Sequence, residues 1–110
     1  MPVNSRNKGK VGERELAKEL TQIFGVECRR GQQFSGIDGR DVVGLEGVHI
    51  ECKRVEKLNI DNAMDQATRD CGEACPAVFH RRNGKPWIVS VKLEDLLRFA
   101  GQIVKIKEKK

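Results

Sequence analysis

The chain has 110 residues, of which 21 are Lys or Arg and 16 Asp or Glu, for a formal net charge of +5. That length suits one domain around a single core and leaves no room for a second, while the positive balance suits a polyanionic partner. No apolar run approaches the roughly 18 residues of a membrane span and no apolar stretch of a secretory signal opens the chain, so a cytoplasmic protein without a membrane partner is expected.

Residues 1 to 10, "MPVNSRNKGK", are polar, basic and aperiodic, and are expected to form a flexible basic arm. Leu16, Ala17, Leu20, Ile23 and Phe24 then recur at helical spacing and predict an amphipathic helix from about 11 to 24, stopped by Gly25. "VECRR" (26 to 30) reads as a short strand, "GQQFSGIDG" (31 to 39) as a glycine-rich loop and "RDVVGL" (40 to 45) as a second strand. After a turn at Glu46 and Gly47, Val48, Ile50 and Cys52 alternate with His49, Glu51 and Lys53 as in a half-buried strand. Asn59 or Asp61 can cap a second helix with the stripe Ile60, Ala63, Met64, Ala67 and Cys71, ended by Gly72 and Pro76. "AVFHRR" (77 to 82) and "PWIVSV" (86 to 91) flank Asn83-Gly84, a tight hairpin signal. A last helix from 93 to 100 is expected to stop at Gly101, before a lysine-rich tail over 103 to 110. The order predicts an α+β domain over 11 to 102, with helices packed on a central mixed sheet.

The four cysteines, Cys28, Cys52, Cys71 and Cys75, form no C-x-x-C pair. Neither a disulfide framework nor a zinc site is expected, and small buried hydrophobes are the simpler reading.

Acids inside a strand that must be half buried need a reason. Side chains two apart on a strand share a face, so Glu51 and Lys53 project together while Cys52 turns the other way. Asp41 can lie beside Glu51 if the two strands pair across the Glu46-Gly47 turn. Two carboxylates held together are costly unless a cation sits between them, and an oxygen-rich site suits Mg²⁺ or Mn²⁺. Glu13 lies one turn before Leu16 and Ala17 on the stripe that faces the sheet, where it either joins those acids or pairs with a neighbouring Lys or Arg. An isolated Glu-x-Lys would read as an ordinary strand face with a cross-strand ion pair. Beside Asp41 and Glu13, it reads as a site.

From "KGKVGERELAKEL" (8 to 20) through "GRDVV" and "IECKR" to the second helix, the chain resembles the archaeal-type Holliday junction resolvases of the PD-(D/E)XK nuclease superfamily, including small phage and prophage members. The resemblance implies a restriction-endonuclease-like core entered by a helix bearing a glutamate, matched by Glu13. It further implies an acid at the start of one strand, matched by Asp41, and a Glu-x-Lys on the next, matched by Glu51 and Lys53. Arg40 stands where a proline usually precedes the aspartate. A catalytic serine of some resolvases is matched by Ser35. The implied chemistry is hydrolysis of a DNA phosphodiester, with the metal held by Asp41, Glu51 and the carbonyl of Cys52. The resemblance leaves Glu13 able to bind a second ion directly or through water, and implies that Lys53 orients the water or stabilises developing charge.

Among the basic groups, Arg29, Arg30 and Arg54 flank the expected site and are the preferred DNA contacts, with Lys8 and Lys10 of the expected arm as further candidates. Arg6, Arg81 and Arg82 are further possibilities, and Gln66 matches a position often polar near the site in related nucleases. His49 is read as an auxiliary group or a strand-edge histidine, His80 as a faint and incomplete HNH signal, and Phe34 as a stacking or anchoring residue. Three classes follow: a nuclease selective for branched DNA, one of the same fold acting on flaps, single-strand ends or duplex, and a non-catalytic nucleic-acid-binding module. The resemblance to dimeric resolvases implies a homodimer without a small-molecule cofactor, for which Trp87, Ile103, Val104 and Ile106 are candidate interface residues.

Overall fold

The alternation of Val48, Ile50 and Cys52 with His49, Glu51 and Lys53 sets the layering of the domain. The computed structural model describes residues 5–31 and 41–109, with side chains from residue 9 onward. Three helices, α1 (Ser5–Phe24), α2 (Ile60–Asp70) and α3 (Leu96–Glu108), surround a five-stranded sheet. Its strands are β1 (Arg29–Arg30), β2 (Val42–Val43), β3 (Val48–Arg54), β4 (Cys75–Arg81) and β5 (Ile88–Ser90), in spatial order β1-β2-β3-β4-β5. All neighbours are antiparallel except β3 and β4, which run parallel because α2 forms the crossover between them. The fold is therefore α+β with a mixed sheet, consistent with the restriction-endonuclease-like core that the resemblance implies.

Val48, Ile50 and Cys52 pack with Leu16, Ala17 and Leu20 of α1 and Ile106 of α3 into the larger core. On the opposite face, Val78 of β4 packs with Ala63 and Ala67 of α2. Val78 is the register partner of Glu51, so the acid and the lysine of β3 look toward the α2 layer. α2 starts where Asn59 accepts a hydrogen bond from the Asn62 amide at 3.0 Å, the expected N-cap.

Two glycines permit close approaches near the site. Gly44 leaves β2 at φ +132°, and a Cβ there would stand 2.5 Å from the Glu27 carbonyl oxygen, so only glycine lets the two chain segments meet. Gly12 on α1 receives the Arg54 side chain, whose Cβ would lie 2.8 Å from an added Cβ.

Several boundaries differ from the sequence reading. α1 begins at Ser5, so much of the expected arm is helical: hydrogen bonding propagates back from the packed stripe at little cost per residue. β1 and β2 shrink to two residues each. α3 runs through Gly101 to Glu108 and absorbs the expected tail, because burying Ile106 outweighs the roughly 1 kcal/mol cost of one helical glycine. Ile106 thus belongs to the core and is withdrawn as an interface residue, while Trp87 and Ile103 are half buried. Arg40, Phe34 and most of the glycine-rich loop lie outside the described residues, as does Ser35. No helix among the described residues is long and apolar enough to cross a membrane.

Candidate active site

Antiparallel pairing of Val42 with Ile50 puts Asp41 across from Glu51, as the two acids require if they are to converge. The Cys52 amide donates to Asp41 Oδ2 at 2.8 Å, and the Asp41 and Glu51 side chains lie close enough for the charge of one to act on the other. Glu51 is only 1% exposed. Its Oε1 lies 3.1 Å from His49 Nε2 and its Oε2 lies 4.0 Å from Lys53 Nζ. Lys53 in turn donates to Gln66 Oε1 of α2 at 3.1 Å, which fixes the ammonium beside the acid pair.

Burial, and then the neighbouring charge of Glu51, push the Asp41 carboxyl up from its ordinary 3.8 to about 7. The Cys52 amide opposes that rise and the charge of Glu13 adds to it. Below neutrality Asp41 therefore keeps its proton. Burial foremost, then the charges of Asp41, Glu13 and Glu51, also push the Cys52 thiol up, so it stays protonated and only its backbone carbonyl is a suitable donor to a hard cation.

Among the described residues no three His, Cys, Asp or Glu side chains gather as a ligand cluster. Mg²⁺ and Mn²⁺ need no such cage, since one or two carboxylates supplemented by water and substrate phosphate suffice. The Asp41-Glu51 pair fits that donor set: Glu51 is buried and Asp41 half-buried beside it, and the charge of Glu51 raises the Asp41 pKa, a repulsion that a cation would relieve.

Glu13 takes the ion-pair alternative while remaining close enough to act on Asp41. Its Oε1 is 2.7 Å from Arg30 Nε. Arg30 is thereby held at the site's edge, while Arg29 is exposed on β1. Arg54 emerges on the opposite face from Lys53, where its Nε lies 2.9 Å from Glu15 Oε1 without hydrogen-bond alignment. Arg81 joins the same Glu15 oxygen at 3.1 Å, and Arg82 is exposed. Lys10 is half buried on α1, and the side chains of Arg6 and Lys8 lie outside the described residues. His80 bonds Ser90 Oγ at 2.8 Å, with its pKa lowered by burial, and takes no part in the acid cluster.

A family model described as "Phage putative PDDEXK endonuclease" matches residues 4–107 of the chain. The chain belongs to that family. A PDDEXK endonuclease is a nuclease with DNA as its substrate class, and the family generally uses divalent metals, in keeping with the positive charge and the paired acids. No curated protein and no solved structure gave a match.

In this PDDEXK endonuclease the sequence reading missed the place of His49. The histidine is not at a strand edge. β2 and β4 flank β3 on both sides and leave His49 2% exposed against Glu51. Its two-residue spacing from Glu51 was the available signal, and the strand order that buries it was not. Gln66, read as a polar residue near the site and a candidate DNA contact, accepts from Lys53.

Proposed function

We propose that this PDDEXK endonuclease is a Mg²⁺- or Mn²⁺-dependent enzyme that cuts branched DNA, four-way junctions foremost, as a two-fold symmetric homodimer. The observation that carries the catalytic part is the Asp41-Glu51 pair facing across β2 and β3, with Glu51 buried and Lys53 Nζ 4.0 Å from its Oε2. Asp41, Glu51 and the Cys52 carbonyl would hold the ion. When bound, it supplies a water of lowered pKa and offsets charge on the scissile phosphate. Lys53, steadied by Gln66, stabilises the negative charge that develops on the phosphate. Glu13 sets the electrostatic edge of the site and, through Arg30, positions a cation for the DNA backbone.

Support for two copies comes from α3. Leu97 is 86% exposed and Val104 53%, with exposed Ala100 and Gly101 between them, and Leu93 just before the helix is also 86% exposed. The order large, small, small, large reads alike in both directions along the helix, as an isologous contact between antiparallel copies demands.

A gel assay on four-way junction, flap, single strand and duplex, each with Mg²⁺ or EDTA, tests the proposal. Junction cleavage with paired, symmetric nicks in Mg²⁺ alone is expected. Preferential cutting of flaps, ends or plain duplex would reassign the substrate, and binding without cleavage would leave a nucleic-acid-binding module.

A further inference from the structure

Burying an imidazole in the middle of a sheet is costly unless its nitrogens are used, and an aliphatic residue would fill the space without that cost. His49 sits beside Pro76 of β4 in the parallel register and brings Nε2 within 3.1 Å of Glu51 Oε1. A carboxylate can only accept, so this contact assigns the proton to Nε2 and makes the histidine the donor. The bond spends one oxygen of Glu51 and leaves Oε2 on the Lys53 side.

We propose that His49 is a positioning residue for the divalent cation, locking the Glu51 carboxylate in the orientation that keeps Oε1 on the imidazole and leaves Oε2 on the Lys53 side. The proposal rests on Asp41 and Glu51 being the cation-holding pair. A glutamate has three rotatable side-chain bonds, and without the imidazole its ordering would have to accompany cation binding. Partners that orient a ligand from behind typically govern affinity by about 10- to 100-fold.

The test is Mn²⁺ binding to the full chain without DNA, by calorimetry, in His49→Gln, His49→Asn and Glu51→Gln, with circular dichroism to verify folding. Glutamine places an amide nitrogen near the position of Nε2, whereas the shorter asparagine does not reach it, so the pair separates the hydrogen bond from general polarity. His49→Gln is expected to bind Mn²⁺ within about threefold of wild type and His49→Asn at least about tenfold more weakly. Equal binding by His49→Asn and wild type, or equal weakness of both His49 variants, overturns the role of His49. In either case, loss of binding in Glu51→Gln leaves the acid pair standing. Wild-type affinity in Glu51→Gln would overturn the acid pair itself, and the positioning role with it.

Discussion

Asp41 holds a proton at pH values where an exposed aspartate has lost it, and this has consequences for both stability and turnover. Its pKa is about 7 folded against an ordinary 3.8, so between those values the folded state binds more protons than the unfolded one. Stability from this group is therefore highest below about pH 4 and declines as pH rises toward 7, by an amount on the order of a few kcal/mol. Asp41→Asn removes the charge, so in chelator its Tm should exceed that of wild type at pH 8, with the gap closing by pH 5. Calorimetry showing the same gap at both pH values would rule this out. The same substitution and Glu51→Gln should each slow DNA cleavage at least about a hundredfold, leaving DNA affinity in EDTA within about threefold, because a cation ligand is lost and no phosphate contact is. Lys53→Ala should lower kcat by about 100-fold or more at nearly constant Kd, and an equal loss of both would make Lys53 an ordinary phosphate contact.

Among the elements, the exit from β2 is the most constrained. Gly44→Ala would force an L residue to φ +132° and press its Cβ against the Glu27 carbonyl. A loss of at least about 2 kcal/mol is expected, read as a fall in Tm of roughly 10 °C. The stripe of α1, the Asn59 cap and the alternation of β3 were legible in the sequence because each is a local pattern that the final packing reinforces. Asp41, Glu51 and Lys53 could be brought together from that alternation and one turn. The length of α3 was not legible, since what carries it past Gly101 is the distant pocket that receives Ile106. Nor was the burial of His49, which depends on the strands beside β3. Arg54 could have been placed: one residue beyond Lys53 on a strand means the opposite face.

For the molecule as a whole, the exposed stripe on α3 gives the dimer a direct test. Leu97→Glu changes a side chain that is 86% exposed and should leave the circular dichroism spectrum of the folded chain unaltered, while light scattering at micromolar concentration should shift from dimer to monomer. Paired nicks in a four-way junction should then become single ones. A wild-type chain that stays monomeric with and without junction DNA, yet makes paired cuts, would exclude the dimer.

The register that joins Asp41 to Glu51 also bears on how fast the chain refolds. The β2-β3 hairpin is among the most local pairings in the sheet, and closing it brings two carboxylates face to face before β4 and α2 need be in place. In chelator, refolding followed by stopped-flow should therefore slow as pH rises from 5 to 8, and millimolar Mg²⁺ should restore the rate. A refolding rate indifferent to both would mean that the acids meet only after the rate-limiting step.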